Sequence, residues 1–328
     1  FDDVPFQYTW KSTIRSKNFI ARRYHDLIGA LKVGSIIFKE NPDVIITSSF
    51  SFYFHIYLKI ISLFSSFIII KEKNEIDYLR KDSVSKTDIF KIRILNKLFH
   101  GFIVINEQLY HYMNLDLKDK KPKIVVPILV EDFTNGQVEN IQNTIVYTGT
   151  YLERKDGILS IIQAFSKIRD KYASFRLILT GSPNGSRDLP KINTIISENN
   201  LKNNVEFTGY LTEEDLQKVL KSAGILILAK PENRQNIYNF PTKIGEYLVS
   251  GRPVIATKVG VVGQILHDKK DIIFAEYDVD DITRKIEFLI TNPALASEIG
   301  QRGKEFAQKN FDYKKHSKSL IDFFLSFK

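Results

Sequence analysis

Short β-branched runs alternate with amphipathic helical segments along nearly the whole chain, and the alternation occurs twice. In the first pass residues 19–40 read as a helix. VIIT (about 43–48), a helix at 52–64, FIIIK (67–71), a helix near 86–99, FIVIN (102–106), a helix at 107–113 and KIVVPIL (123–129) follow. The stretch VEDFTNGQVENIQN is polar and aperiodic and reads as a linker. The second pass is cleaner: TIVYTGT, a helix at 157–172, FRLILTG, a helix at 188–200, VEFTGYL, TEEDLQKVLKSA and GILILAK. Strands separated by helices of this length need crossover connections, which makes them parallel βαβ units. The expectation is an α/β protein of two Rossmann-like domains facing a cleft. The first spans 1–130, the linker 131–143 and the second 144–310, with 311–328 a C-terminal helix placed to cross back to the first. Ligands in such sheets bind beyond the C-terminal strand ends.

A chain of 328 residues with 43% apolar and 26% charged residues can fill two cores. It has no cysteine, so disulfides and cysteine-based metal sites are excluded. The net charge is +9, and residues 1–130 hold 20 Lys/Arg against 13 Asp/Glu. That asymmetry suits an anionic partner such as a phosphate-rich substrate or membrane surface, or simply a solvated lysine-rich face. No nucleic-acid-binding module is recognisable, and none is expected as a partner. The start, FDDVPFQYTW, has no signal-peptide pattern and reads as a chain whose beginning is not included. Residues 52–70, FYFHIYLKIISLFSSFIII, approach membrane-spanning length, but His55, Lys59 and three serines favour helix plus strand. The aromatics of that helix also suit a membrane surface.

No dinucleotide-binding fingerprint, Walker A loop, HExxH, EF-hand loop or nucleophile elbow is present, and the six histidines show no ligand spacing. What remains is a set of glycine-bearing strand exits. YTGTYLERKDG leaves its strand at Gly149-Thr150 and places Arg154 and Lys155 before a helix, the makings of an anion site. LTGSPNGSRD turns at Gly181, and VEFTGYLTEED carries Tyr210 two positions before a helix start. Each alone is an ordinary loop; all three belong on one edge of the sheet.

The segment NFPTKIGEYLVSGRPVIATKVG (239–260) is the most informative. Pro241 suits a first helical turn, while Gly251 and Pro253 end the helix, which predicts about 241–250. Ile244, Tyr247 and Leu248 form the buried stripe. Thr242, Lys243 and the free amides of the helix start offer donors to a phosphate. Glu246, about one turn deeper, is spaced to accept two hydroxyl hydrogen bonds, as from a ribose. The alternative is a local Lys243–Glu246 ion pair.

These pieces, in the order TGTYLERKDG, LILTGS, VEFTGYLTEEDL, ILILAK and FPTKIGEYLVSGRPVIATKVG, resemble the C-terminal half of GT-B-fold glycosyltransferases, in particular retaining family 4 members of the Pro-x-Lys-x-x-Glu-Tyr-Leu type. The resemblance covers about 144–310 well and the first half more loosely. The family's first strand and glycine loop are not recognisable before residue 19, which implies a missing strand-loop-helix unit of about 40–50 residues.

The resemblance implies site roles. Glu246 matches the ribose-binding carboxylate, Lys155 the lysine on the donor diphosphate, and Lys243 with the helix start the diphosphate end. Thr150 stands where the family often has arginine, with Arg154 as the substitute. Tyr238 stands where many members carry a second glutamate on the transferred sugar, so sugar contact passes to Asn236, Asn239 or backbone. The family's acceptor-domain histidine is replaced by Ser48 and Ser49. Glu75 in EKNE is the best acceptor-side carboxylate, a base or positioning group, or equally a solvated charge.

The implied activity is transfer of a sugar from a nucleotide-diphosphate sugar, with retention, to a saccharide or lipid-linked acceptor in cell-surface polysaccharide or glycoconjugate synthesis. It needs no cofactor or metal, since Lys155, Arg154, Lys243 and a helix N-terminus stabilise the leaving diphosphate. The expected location is cytoplasmic, on the inner face of the membrane. A nucleotide-sugar epimerase and a non-catalytic binding subunit on the same fold are the competing readings.

Overall fold

The computed structural model describes residues 5, 8, 9, 18–48, 51–78, 83–131 and 140–327. Most of residues 1–17, Ser49 and most of the linker lie outside the described residues.

The first domain runs α1 (Phe19–Glu40), β1 (Val44–Thr47), α2 (Phe52–Ile61), β2 (Ile68–Lys73), α3 (Lys86–Asn96), β3 (Gly101–Val104), α4 (Glu107–Leu115) and β4 (Lys123–Val125). Its four strands are parallel, in the order β1-β2-β3-β4, with Thr47 opposite Lys71 and Lys73 opposite Val104. The helices start where side chains can hold the free amides of a first turn. Asn18, Ser51 and Asn106 cap α1, α2 and α4, and Ser85 forms a capping box with Asp88 on α3. The apolar run at 52–70 divides into α2 and β2. No helix among the described residues is long and apolar enough to cross a membrane.

The second domain begins with β5 (Thr144–Thr148), α5 (Glu153–Asp156), α6 (Ile158–Ile168), β6 (Arg176–Thr180), α7 (Leu189–Glu198), β7 (Val205–Gly209), α8 (Glu213–Ser222) and β8 (Ile225–Leu228). It continues through α9 (Arg234–Tyr238), α10 (Thr242–Val249), β9 (Val254–Thr257), α11 (Val262–Ile265), β10 (Ile273–Ala275), α12 (Val279–Thr291), α13 (Pro293–Asn310) and α14 (Tyr313–Leu325). Six parallel strands run in the order β10-β9-β8-β5-β6-β7. The order reverses beside β5, so the loops after β5 and β8 diverge there and leave a crevice. β5, β8, β9 and β10 are buried along their whole length, as expected of a parallel sheet covered on both faces.

The chain returns to its beginning. The Val130 amide donates to the Phe311 carbonyl at 3.0 Å. Leu320, Phe323, Phe324 and Phe327, on α14 and just after it, then pack on Ile70, Ile103 and Val126 of the first sheet. That approach needs Gly101, because a Cβ there would lie 2.6 Å from the Phe327 ring. α10 lies equally close to the segment after β4: a Cβ on Gly245 would meet Val130 at 2.6 Å.

Candidate functional site

The loop after β5 folds around one buried carboxylate. α5 is a single turn closed by Gly157 in the left-handed region, and it turns Asp156 inward to 1% exposure. Asp156 Oδ1 accepts from Lys230 Nζ at 3.2 Å, and Oδ2 from Lys243 Nζ at 3.1 Å. Oδ2 also accepts from the Tyr147 hydroxyl at 3.0 Å and the Thr150 hydroxyl at 2.8 Å. Lys230 leaves the all-apolar strand β8, and Lys243 sits in the first turn of α10. Two strand ends, those of β5 and β8, and one helix start therefore converge on one anion.

Glycine makes the convergence possible. Lys243 Nζ occupies the place of a Gly149 side chain, 1.7 Å from where that Cβ would stand, and Gly149 has φ of 142°. Gly181 backs onto it, since a Cβ there would approach the Gly149 carbonyl oxygen to 2.3 Å.

Burial by itself would raise the Asp156 pKa. The Lys243 and Lys230 ammoniums and the Thr150 hydrogen bond outweigh it and push the carboxyl down to about 2. Burial draws both ammoniums below the usual lysine value, against the pull of Asp156. Two cations facing one carboxylate leave an excess positive charge at the mouth of the crevice. An anion placed there would offset it, and low dielectric would strengthen the attraction.

The residues singled out from sequence fall into distinct places. Gly149, Thr150, Gly181 and Lys243 belong to this cluster. Lys155 joins through its backbone carbonyl, which accepts from Lys230 Nζ at 3.0 Å and Asn236 Nδ2 at 3.3 Å. Its ammonium is near enough to oppose the charging of both lysines. Arg154 faces another opening, with Arg187, Lys191 and Tyr277. Its carbonyl is held by Asn233 Nδ2 at 2.8 Å.

Glu246 is not paired with Lys243, whose ammonium goes to Asp156 instead. It lines a pocket beside the linker with Glu213, Leu216 and Gln217 of α8, and burial raises its pKa. Thr242 is exposed, and Tyr210 is 86% exposed. α10 begins at Thr242, with Pro241 as its cap position.

Tyr238 turns away from the cluster toward the first domain, its ring centroid 5.4 Å from that of Tyr112. The Asn239 amide closes α9 on the Gln235 carbonyl at 3.0 Å. Glu75, on the loop after β2, acts across the cleft to favour the charged form of Lys230. In the first domain His55 is buried, 3.2 Å from the Thr47 hydroxyl and 3.4 Å from Lys71 Nζ, and Lys71 also donates to the Ser48 carbonyl.

Two central residues escaped the sequence reading, Asp156 and Lys230. Asp156 is hidden between Lys155 and Gly157 in a run that reads as basic. Lys230 carried a usable signal, a lone charge ending an apolar strand.

Residues 142–292 match the family model described as Glycosyl transferases group 1. The chain is 26% identical over 230 residues to the uncharacterized glycosyltransferase MJ1178 of Methanocaldococcus jannaschii, covering 70% of this chain and 60% of that protein. The chain thus matches less than two thirds of that relative's length. Among solved structures, a glycosyltransferase from Rickettsia africae superposes with a TM-score of 0.75 at 16% identity, covering 96% of this chain and 83% of that one. Anabaena Alr3699/HepE, solved in complex with UDP and glucose, superposes with a TM-score of 0.72 at 16% identity, covering 90% and 82%. The fold is GT-B, two Rossmann-like α/β domains.

Proposed function

We propose that this chain is a glycosyltransferase that transfers a sugar from a nucleoside-diphosphate sugar to a saccharide or lipid-linked acceptor. The observation that carries the reading is the Lys230–Asp156–Lys243 cluster at the strand ends of the domain that matches the glycosyltransferase model. Asp156 holds both ammoniums in place. Their excess charge meets the diphosphate, and Lys155 adds to the field. As the anomeric carbon–oxygen bond breaks, negative charge grows on the leaving diphosphate, where these fixed cations act most strongly. They supply the charge that a divalent metal supplies elsewhere. In this reading Glu246, which lines a pocket beside α8, accepts the ribose hydroxyls. In this reading Glu75, across the cleft, orients the acceptor hydroxyl or takes its proton as that oxygen bonds to the anomeric carbon. Retention of configuration follows the family resemblance.

The acceptor side faces an anionic membrane surface in this reading. Ile20, Tyr24, Leu27, Leu31 and Phe38 recur at helical spacing on α1 and are all more than half exposed, with Arg22, Arg23, Lys32 and Lys39 on the same helix. A solvated apolar stripe among basic side chains suits the headgroup layer of an anionic bilayer, at the cytoplasmic face of the membrane.

Incubation with a panel of nucleotide sugars and measurement of released nucleoside diphosphate tests the activity. Release that depends on an acceptor supports it. Conversion of the sugar without release makes the chain an epimerase. Nucleotide binding with neither makes it a binding subunit, in keeping with tyrosine at position 238.

A further inference from the structure

α9 is held from both sides. On the second domain's side, Asn233 Nδ2 donates to the Arg154 carbonyl, and the buried Asn236 donates to the Lys155 and Pro231 carbonyls. Asn236 Oδ1 also accepts from Lys230 Nζ at 3.3 Å. The helix thus fixes the backbone that presents Lys230 and Asp156. On the first domain's side, Arg234 Nη1 donates to the Asp77 carbonyl at 2.9 Å and the Tyr78 carbonyl at 3.0 Å. Asn106, buried as the cap of α4, donates from Nδ2 to the Tyr238 carbonyl at 2.9 Å. Tyr112 packs on Tyr238, and the Arg234 guanidinium lies 6.0 Å from the centre of the Tyr112 ring.

We infer that α9 is an interdomain clasp and that Arg234 and Tyr112 are positioning residues: they couple the placement of the first domain to assembly of the diphosphate-binding cluster. The inference rests on the donor-site reading above. Two features separate a clasp from a permanent weld. The contact depends on a few polar side chains rather than on a wide apolar surface. Arg234 Nη2 and the Tyr112 hydroxyl are also buried in it without a hydrogen-bond partner among the described residues, which costs free energy in the closed arrangement. Two states close in energy are what a ligand can bias. Tyr238, at the position where the family resemblance implies a carboxylate, gives its ring to this seam.

Amide hydrogen exchange and calorimetry on the full chain with UDP, GDP or ADP test this. In the wild type the nucleotide that binds slows exchange at 149–157 and also at 106–115 in the first domain. Arg234→Met and Tyr112→Ala should weaken that nucleotide about tenfold and abolish the protection at 106–115 while retaining it at 149–157. Tyr112→Phe should keep the protection at 106–115 and bind at least as tightly as wild type, because it keeps the ring and removes a hydroxyl that has no hydrogen-bond partner among the described residues, and Arg234→Lys should fall between wild type and Arg234→Met, so a misfolded truncation is recognised. Wild-type affinity and protection at 106–115 in both truncations overturn the clasp. A wild-type chain that binds none of the three nucleotides overturns the donor-site reading and the clasp with it.

Discussion

The two domains treat charge in opposite ways. At the cleft of the second, Asp156 and Lys230 are buried and Lys243 is partly buried, and both lysines are bound to the carboxylate, so each polar atom has a fixed position. On α1 of the first, arginines and lysines stay in solvent beside exposed aromatic and aliphatic side chains. A buried cluster with a set excess charge selects a small anion of defined shape. An exposed mixture of basic and apolar groups selects an extended surface and tolerates variation in it. The first arrangement depends on geometry and the second mainly on composition.

That contrast is broken most severely by Asp156→Ala. Removing the carboxylate leaves two buried ammoniums facing each other, and the fold should lose about 3–5 kcal/mol in denaturant titration, along with nucleotide binding. Acid probes the same group reversibly. Its pKa is about 2 in the folded chain and about 3.9 unfolded, so its contribution is fully present above about pH 4. As pH falls toward 2 the unfolded state takes up the proton first, and roughly 2.5 kcal/mol of stability should disappear across that window. Asp156→Asn should flatten this part of the pH–stability curve.

Glu246→Gln should affect binding without affecting folding, since Glu246 lines a pocket rather than holding the fold. Nucleoside-diphosphate affinity should drop by about 2 kcal/mol with the melting temperature unchanged. Equal affinity in a folded variant would remove Glu246 from the site. The smallest effect is expected on the first domain. Arg22→Glu with Arg23→Glu should weaken sedimentation with phosphatidylserine vesicles by about 1 kcal/mol per arginine. Stability should stay within about 0.5 kcal/mol and nucleotide affinity should not change.

Much of the framework is legible in the chain itself. Periodicity identifies α1 to the residue, and Pro241, Gly251 and Pro253 bracket α10 to within a residue or two. Those signals are local: caps, apolar spacing and breakers act on neighbouring residues. The candidate site is legible only in part. Lys243 and Gly149 are visible as parts of an anion site, yet neither shows that the lysine occupies the space the glycine leaves. Lys155 and Asp156 are adjacent in sequence, and a single turn of α5 decides that the aspartate enters the cluster through its side chain and the lysine through its carbonyl.

Two parallel α/β units, the strand ends at which a ligand would gather and the basic character of the first half follow from residue type and short-range spacing. Tertiary structure alone decided which charges meet. Asp156 reaches Lys230 and Lys243 across 74 and 87 residues, and Tyr238 reaches Asn106 across 132. Pairings of that kind depend on how strands are ordered in a sheet and how two sheets face each other, and no local rule of spacing encodes either.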